Sequence, residues 1–421
     1  MEKITSLSQD KLLQVNKLIL EKMHSTNPLI PQIAKYIISA GGKRLRPILA
    51  LSSAKLLNYN NSSSKDIYLA SAVELIHTAT LLHDDVVDNS IKRRNVKTAN
   101  EVWGNQITIL VGDFLFSRAF ELMVKTNSQK VLQTLSKASC KISEGEINQL
   151  QCQNNPETTT KEYLNIITGK TAELFSAACK SGALISTNNI NQIKALEVYG
   201  KELGIAYQLV DDALDYISET PKLGKSVGDD FKDGKVSLPI IISWSKGTKD
   251  EKKFWTRVIS NLDQNKNDFN KAKELINKYN GIKETYTLSN FYSQNAIDAL
   301  SIFEPCKVKD GLIEVASFTT SRINWDYFFM IITSYQNIND VIDKLFELEI
   351  HSIGMNGDGV ALNYGISKRF SNEYKLYVPG ALEGEKVLAK ANKIIQKKIF
   401  FRLVKVIHPS KEREEEDCKN F

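Results

Sequence analysis

Apolar residues recur at three- and four-residue spacing from residue 8 to about residue 320, and strict alternation is rare there. This spacing places apolar side chains on one face of an α-helix. Some predicted helices, such as residues 107–120, are apolar around most of their circumference. The pattern predicts an all-α bundle with a buried centre. Clusters of Gly, Asn, Ser and Pro mark the expected helix ends at residues 41–42, 58–64, 104–105, 154–160, 188–191 and 221–234.

The pattern changes near Asn324, so we expect a first domain of residues 1–324 and a small mixed extension of residues 325–421. For the extension we predict a helix at 337–348, a strand at 374–378 and then a second helix. Apolar residues of that second helix share one face: Val387, Leu388, Ala391, Ile394, Ile395 and Ile399. Because it is also rich in lysine, this helix could lie on an anionic membrane surface, although the solvated face of a small packed unit is the simpler interpretation.

The composition is that of an ordinary globular protein, since 42% of the 421 residues are hydrophobic and 25% are charged. No apolar run approaches the roughly 18 to 20 residues of a membrane span. The first twenty residues lack the apolar core of a secretory signal, so we expect a cytoplasmic protein. The five cysteines form no CxxC pair, which argues against a zinc site. The net charge of +6 allows anionic ligands but does not indicate nucleic acid.

Two aspartate clusters carry the strongest chemical signal: residues 84–88 read DDVVD and residues 211–215 read DDALD. Residues four apart share a helix face, so each cluster projects two carboxylates from one stripe, with a third beside them. These like charges repel one another without a cation, and clustered carboxylate oxygens suit Mg²⁺. One cluster alone would equally fit a solvated acidic face. A second copy, again in an apolar helix, favours a metal site.

Basic residues provide the other half of an anion site. Lys43, Arg44 and Arg46 precede Pro47, which favours the first turn of a helix, so a diphosphate could bind at this helix start. His77 lies two turns before Asp84 on the same stripe, where a lone histidine would ordinarily be a core residue. Further candidates accompany the two aspartate clusters: Arg93, Arg94, Lys170, Thr171, Lys225 and Lys235.

Six segments resemble motifs of the trans-isoprenyl diphosphate synthases in order and spacing: GGKRLRP, HTATLLHDDVVD followed by RR, GKTA, YQLVDDALDY, GKSVGDD and DGKVSLP. The resemblance covers residues 5–323 and is strongest to bacterial octaprenyl-type members. It implies the isoprenyl synthase fold, a helical bundle around a deep central cavity, usually as a homodimer. It also implies a prenyltransferase that joins isopentenyl diphosphate to an allylic diphosphate, with farnesyl diphosphate as the expected primer, and that uses about three Mg²⁺ ions.

The resemblance also implies roles for single residues. The Mg²⁺ ligands would be Asp84, Asp88, Asp211 and Asp215, and the further catalytic residues would be Asp85, Asp212, Arg93 and Lys170. The isopentenyl diphosphate site would comprise Lys43, Arg46, His77 and Arg94. The allylic diphosphate would contact Arg93, Lys170, Thr171, Gln208, Lys225 and Lys235. Asn95 stands where the family usually has glycine, and asparagine tolerates a positive φ.

Product length is expected to depend on the residues one turn before Asp84, because a helical turn rises about 5.4 Å, comparable with one isoprene unit. Ala79 and Thr80 are small. In the resembling family, members with bulky aromatic residues at these positions make short products. We therefore expect a product of about eight units, within a range of roughly seven to ten, for the side chain of a quinone such as ubiquinone.

Three other interpretations remain open. The chain could make a shorter farnesyl or geranylgeranyl product, could be the non-catalytic subunit of a heteromeric synthase, or could be a terpene cyclase of related fold. Non-catalytic subunits usually lose aspartates, and cyclases usually replace the second DDxxD by an Asn/Ser/Glu motif, whereas both clusters are intact here. Peripheral contact with the inner membrane face is a further expectation for the enzyme.

Overall fold

The computed structural model describes residues 2–39, 42, 44–59, 63–93, 96–217, 228–334, 345–353, 358–361, 375–395 and 398–410. The chain divides into two compact units, Met1–Ile323 and Asn324–Phe421. The first is helical, in agreement with the predicted all-α bundle. No helix among the described residues is long and apolar enough to cross a lipid bilayer.

The helices begin and end close to the predicted breaks. Their bounds are α1 Glu2–Lys22, α2 Leu29–Ser39, α3 Leu45–Leu56, α4 Lys65–Val87, α5 Ala99–Trp103, α6 Asn105–Lys125, α7 Gln129–Cys152, α8 Thr160–Ile167, α9 Glu173–Leu184, α10 Ile190–Ile217, α11 Asp229–Lys232, α12 Leu238–Lys246, α13 Lys249–Trp255, α14 Asp268–Lys278, α15 Gly281–Ala299 and α16 Lys307–Ser334. Two single-turn π-helices, Thr168–Ala172 and Thr256–Ser260, interrupt this series, and a short hairpin of β1 (Lys92–Arg93) and β2 (Val96–Lys97) follows α4.

Helices α4 and α10, which carry the two aspartate clusters, lie in the core of this unit. Helix α4 packs against α3, α6 and α9, while α10 packs against α9 and α15. Apolar residues on successive turns of α4, such as Leu69, Val73 and Ile76, are fully buried. Their removal from water stabilises the helix in place. This packing fixes the position of each helix, and with it the aspartate cluster near the C-terminal end of the helix.

Helix α6, which covers the apolar residues 107–120, is buried on only one side. Leu115, Ala119 and Leu122 are buried against the rest of the unit. The opposite side keeps a stripe of apolar residues exposed, with Leu110 at 67% and Val124 at 65% relative exposure. The exposed stripe also includes Ile109 and Phe120. Asp113 and Ser117 are exposed between these apolar side chains on the same side of the helix.

The extension forms a closed five-stranded barrel. Its strands are β3 Leu345–Ile353, β4 Gly359–Ala361, β5 Lys375–Val378, β6 Lys386–Ile395 and β7 Lys398–His408. They follow the order β3-β4-β5-β7-β6 around the barrel, and β6 closes it by pairing with β3. All neighbours are antiparallel except β5 and β7. The interior is filled by residues such as Phe346, Val387, Ala389 and Phe401.

Both helices predicted for the extension are wrong where the structure describes them. Residues 345–348 of the first predicted helix belong to β3, and residues 337–344 lie outside the described residues. The second predicted helix is β6 together with the start of β7, and the strand predicted at 374–378 is observed as β5, Lys375–Val378. Val387, Ala389 and Ala391 are buried at a period of two. The predicted amphipathic helix, and with it the proposed membrane contact through that helix, is therefore withdrawn.

Candidate active site

A cavity of about 400 Å³ opens among α3, α4, α7, α8, α10 and the segment around α11. It is lined by most of the residues that the motifs single out: Arg46, His77, Thr80, Asp84, Asp88, Arg93, Lys170, Thr171, Gln208, Asp211, Asp212, Asp215 and Lys235. Charged groups of both signs and apolar side chains share its wall. The structure thus brings residues from distant parts of the chain to one place.

Helix α4 contributes one continuous stripe to the cavity. His77, Thr80, Leu81, Asp84 and Asp88 all line it. Their spacing of three, four and seven residues is that of a single helix face. Because α4 is otherwise buried, the carboxylates of Asp84 and Asp88 are fixed at the end of a rigid element. This helix therefore presents two carboxylates above a small hydroxyl side chain and an apolar one.

Helix α10 supplies the second stripe. Asp211, Asp212 and Asp215 line the cavity together with Gln208 and Leu214. Asp215 accepts a hydrogen bond from the backbone N–H of Gly228 at 3.2 Å. Gly228 has φ of +82°, a conformation that favours glycine, and it directly precedes α11. The start of α11 is thereby tied to the second aspartate cluster.

Lys170 lies in the π-helix Thr168–Ala172, and such π-turns are frequent at functional sites. Its ammonium is 2.7 Å from a Glu146 carboxylate oxygen and 3.9 Å from Asp84 Oδ2. This approach depends on Gly145 of α7, since a Cβ there would be 2.5 Å from the Lys170 backbone nitrogen. The π-turn and the glycine together let α7 and Lys170 meet beside the first aspartate cluster.

Lys235 connects the first aspartate cluster to the segment after α11. Its ammonium is 2.8 Å from Asp88 Oδ2, 3.6 Å from Asp233 and 3.8 Å from Asp230. Burial disfavours the charged ammonium, but Asp230 and Asp88 outweigh that effect and raise the pKa of Lys235. Lys235 therefore stays a cation and balances part of the negative charge of the cavity.

Asp85 contacts an arginine side chain and does not line the cavity, unlike Asp84 and Asp88. It is buried, and its Oδ1 accepts hydrogen bonds from Arg93 Nε at 2.8 Å and Nη2 at 2.7 Å. Arg93 lines the cavity, whereas Asp85 does not appear in its wall. The structure therefore places Asp85 behind Arg93, where it fixes the guanidinium, and not among the groups that face the cavity.

A chain of hydrogen bonds runs from Tyr163 to Thr171 through the second cluster. The Tyr163 hydroxyl donates to Asp212 Oδ2 at 2.6 Å, and the Gln208 amide donates to Asp212 Oδ1 at 2.7 Å. Thr171 in turn donates to Gln208 Oε1 at 2.8 Å. Burial, reinforced by Asp230, raises the pKa of Asp212 to about 7 despite these donors. Asp212 is therefore held in one rotamer by its neighbours.

Arg46 and His77, both predicted to bind isopentenyl diphosphate, meet in the cavity wall. Arg46 donates to His77 Nε2 at 3.0 Å, and its guanidinium lies 4.5 Å from the Phe175 ring centroid. Burial lowers the pKa of Arg46, although Tyr207 and Glu74 oppose this effect. A buried guanidinium gains most from an anionic partner, because the anion replaces hydration that burial has removed.

Other predicted residues are placed differently or are not described. Ala79 is fully buried in the core and does not line the cavity, unlike Thr80. Its role in chain length stays a prediction. Lys43, Arg94 and Lys225, as well as Asn95, lie outside the described residues. Their predicted contacts with the diphosphates therefore stay predictions too.

Several lining residues were missed by motif reasoning. On α7, Ile142, Glu146 and Gln149 form a third stripe along the cavity, and Gln153, directly after the helix, continues it. Burial, together with the charge of Asp84, raises the pKa of Glu146 from 4.5 to about 7. The helical spacing of these polar residues was a usable signal, but it is far weaker than a DDxxD repeat. Tyr163 and Asp230 also line the cavity.

The carboxylates are chemically suited to Mg²⁺, because oxygen donors from a few carboxylates, completed by phosphate and water, are its preferred ligands. Asp84 lies on α4 and Asp88 directly follows it, whereas Asp211 and Asp215 lie on α10. Within the described part of the chain, no three His, Cys, Asp or Glu side chains form a metal cluster by themselves. The oxygen-only donor set nevertheless fits a hard divalent cation.

The fold and cavity define an all-α enzyme whose site combines carboxylates and cations. Residues 27–276 match the family described as Polyprenyl synthetase. The octaprenyl diphosphate synthase of Escherichia coli (strain K12) is 37% identical over 322 residues, covering 76% of this chain and 99% of that relative. The geranylgeranyl diphosphate synthase of Saccharolobus solfataricus is 35% identical over 293 residues, covering 68% and 87%, respectively.

A solved structure agrees with these sequence matches. The polyprenyl synthase from Caulobacter crescentus CB15, complexed with calcium and isoprenyl diphosphate, has a TM-score of 0.74 and 43% identity over 76% of this chain and 97% of its own. The chain belongs to the polyprenyl synthetase family. It is a prenyltransferase of isoprenoid biosynthesis that acts on isoprenyl diphosphates, and its helical bundle is the isoprenyl synthase fold.

The raised pKa of Glu146 predicts how the stability of the metal-free protein depends on pH. Between pH 4.5 and about 7, the folded protein binds more protons at Glu146 than the unfolded chain does, so the free energy of unfolding falls as pH rises. Glu146→Gln mimics the neutral acid and should flatten the decline of Tm across this range. Calorimetry in chelator measures it.

The matched control is Glu144→Gln on the exposed side of the same helix. Its Tm should follow the wild-type slope. Parallel curves for wild type and Glu146→Gln would show that folding does not raise the pKa of Glu146.

Proposed function

We propose that this prenyltransferase condenses isopentenyl diphosphate with an allylic diphosphate, farnesyl diphosphate by preference, into a long all-trans polyprenyl diphosphate. The arrangement that carries the proposal is the pair of carboxylate stripes on α4 and α10, which share one cavity with cations and apolar side chains. The octaprenyl diphosphate synthase relatives support a product of about eight units.

Mg²⁺ is the proposed cofactor, with about three ions per site. Asp84, Asp88, Asp211 and Asp215 would hold it, and when bound it would neutralise the diphosphate that leaves the allylic carbon. Lys170 and Lys235 already neutralise carboxylates on the cavity wall. As the diphosphate enters, these ammonium groups can donate to its oxygens. The two ammonium groups would thus compensate the carboxylate charge before the diphosphate binds and the diphosphate charge afterwards.

Cleavage of the allylic carbon–oxygen bond leaves a carbocation that must be kept from water. The cavity offers apolar side chains for this purpose, namely Leu81, Ile142, Ile166, Ile167, Leu174 and Leu214. Exclusion of water prevents hydrolysis and strengthens the electrostatic interactions of the site. The isopentenyl double bond then attacks the cation, and loss of a proton completes the five-carbon extension. The released diphosphate is a sufficient base, so no His or Cys nucleophile is needed.

The product would serve as the side chain of a quinone such as ubiquinone, and the enzyme would work in the cytoplasm or at the inner face of the membrane. These assignments follow from the low solubility of a long polyprenyl chain in water and from the octaprenyl relatives. We further propose that the exposed apolar stripe of α6 forms the contact of a homodimer. Such a contact would remove Leu110 and Val124 from water.

Product analysis tests the function. Purified protein given isopentenyl diphosphate, farnesyl diphosphate and Mg²⁺ should yield linear polyprenyl diphosphates that end near about eight units. Asp84→Asn and Asp211→Asn should each lower kcat at least roughly a hundredfold, because each removes a charge that stabilises the leaving diphosphate. Radiolabel incorporation with chromatography measures both.

Asp250→Asn is the control, since Asp250 is exposed on α13 outside the cavity, and its kcat should stay near wild type. Farnesyl or geranylgeranyl products would show a short-chain enzyme. Cyclic hydrocarbons, or the absence of turnover in the wild type, would contradict the proposal.

Chain length is tested at Thr80, which lines the cavity one turn before Asp84. Thr80→Phe should shorten the principal product by several units, because a phenyl ring fills space through which the growing chain passes. Thr80→Val keeps the shape of threonine and should leave the length unchanged. An unaltered product from Thr80→Phe would place the limit on chain growth elsewhere.

The oligomeric state is tested at α6. Wild-type protein should have the mass of a dimer in light scattering after size-exclusion chromatography, and Leu110→Asp should give a monomer because it places a charge in an apolar contact. Val404→Asp, at an exposed apolar position of the barrel, should remain a dimer. A monomeric wild type would rule out the proposed contact.

A further inference from the structure

The outer surface of the barrel carries aromatic rings and cations. Phe400 of β7 pairs in register with Tyr377 of β5 on one side and Lys393 of β6 on the other. Ile399 and Phe401, its neighbours along the strand, are buried inside the barrel. Because side chains alternate across a strand, Phe400 faces outward. We name Tyr377, Lys393, Lys398, Phe400 and Arg402 the basic aromatic face.

The rings and the ammonium groups of this face are in contact. Tyr377 and Phe400 stack with centroids 5.5 Å apart and planes inclined by 22°. Lys393 Nζ lies 5.2 Å from the Phe400 centroid, and Lys398 Nζ lies 5.6 Å from the Tyr377 centroid. Cations are attracted to ring faces, so each ring holds a positive charge beside it. The two rings and the two cations therefore lie on three neighbouring strands, β5, β7 and β6, which are roughly 5 Å apart.

The charge of β6 and β7, which carry four of the five residues of this face, is of one sign, whereas Glu347 and Glu349 lie on the neighbouring strand β3. Residues 386–410, which include β6 and β7, contain seven Lys and Arg and no Asp or Glu. Lys390 pairs in register with Arg402, which adds two cations at neighbouring positions of the two strands. The net charge of the whole chain is only +6. Residues 324–421 as a whole contain 14 Lys and Arg and 14 Asp and Glu, so the positive charge is local to β6 and β7. A local positive potential attracts a polyanion.

We propose that the basic aromatic face binds a single strand of nucleic acid. Proteins that bind single strands combine aromatic side chains, on which unpaired bases stack, with Lys and Arg that contact the phosphates. Tyr377 and Phe400 supply the rings, while Lys393, Lys398 and Arg402 supply the charges. This reverses the expectation of no nucleic-acid partner, because that expectation rested on the charge of the entire chain.

An anionic membrane is the competing partner for a basic surface. Binding in a membrane interface requires a contiguous apolar face that enters the acyl region. Among the described residues of the extension, the large hydrophobic side chains that stand out as exposed are Ile353 and Val404, and neither belongs to the basic aromatic face. The outward rings of this face are flanked by ammonium groups. Tyr377 and Phe400 are half-buried, so this face offers ring surface next to positive charge and no contiguous apolar patch for the acyl region. This combination favours an unpaired nucleic acid strand over lipid.

Fluorescence anisotropy with the full chain tests the proposal. Short labelled oligouridylate and oligothymidylate are titrated in parallel, and binding of either strand that weakens with added salt is the expected result. Tyr377→Thr combined with Phe400→Thr should weaken binding at least roughly tenfold, because it removes the stacking surfaces. Threonine favours strands, so the barrel should be retained.

A second variant tests the charges without touching the rings. Lys393→Gln combined with Lys398→Gln should reduce the slope of log K against log salt by about 1.4, as expected when two phosphate contacts are lost. The matched control is Lys252→Gln combined with Lys271→Gln. These lysines lie over Trp244 and Phe254 in the helical unit, so the control loses the same charge from the same kind of contact. It should bind like wild type.

Three results would overturn the proposal. The first is that neither strand binds at low salt. The second is that both variants of the basic aromatic face bind as tightly as wild type and the control. The third is that vesicles of anionic phospholipid bind the full chain in a sedimentation assay while the oligonucleotides do not.

Discussion

Repulsion among carboxylates that α4 and α10 project into one cavity is the constraint on which the active site depends. Two packed helices hold these side chains in place, and cations from other elements balance them. Lys170 reaches Glu146 and Asp84 from a π-turn, whereas Lys235 reaches Asp88 from the segment after α11. Removing one partner of such a buried pair leaves an uncompensated charge, which is strongly destabilising. The site is therefore a property of the whole helical bundle.

The same arrangement explains how one set of residues can serve two states. Without a ligand, the Lys170 ammonium contacts Glu146 and the Lys235 ammonium contacts Asp88. Under the proposed function, Asp84, Asp88, Asp211 and Asp215 would hold Mg²⁺, and Lys170 and Lys235 would contact the diphosphate. Each of these groups would then exchange one oppositely charged partner for another. Asp85 keeps Arg93 oriented in both states. Arg46, half-buried beside His77, would gain an anionic partner with the proposed diphosphate.

The sequence predicts this part of the molecule well, and the reasons are physical. Helices with a buried face repeat every three or four residues, and carboxylates that face one another must recur in two such helices, as Asp84 and Asp211 do. Glu146 was missed because a single acid on a regular helix resembles any solvated residue. Its role depends on Gly145, which lets the π-turn approach, and that contact joins residues far apart in sequence.

In the extension, the sequence predicted the wrong secondary structure for residues 386–395. The run from Val387 to Ile395 satisfies a helical period as well as an alternating one, so periodicity cannot decide between them. Pairing of β6 with β3 and β7 decides for the strand, and β3 begins about forty residues earlier in the chain. Lysines that looked like the polar side of a helix instead alternate with buried Ala389 and Ala391. Strand pairing of this kind is not encoded locally.

Calorimetric titration with Mg²⁺ and inorganic diphosphate tests the central claim most directly, because it needs no turnover. If the carboxylates of α4 and α10 hold a metal that is shared with the diphosphate, each ligand should tighten the binding of the other by the same factor. Asp84→Asn and Asp211→Asn should each abolish that coupling. Independent binding of the two ligands in the wild type, or unchanged coupling in both variants, would contradict the account.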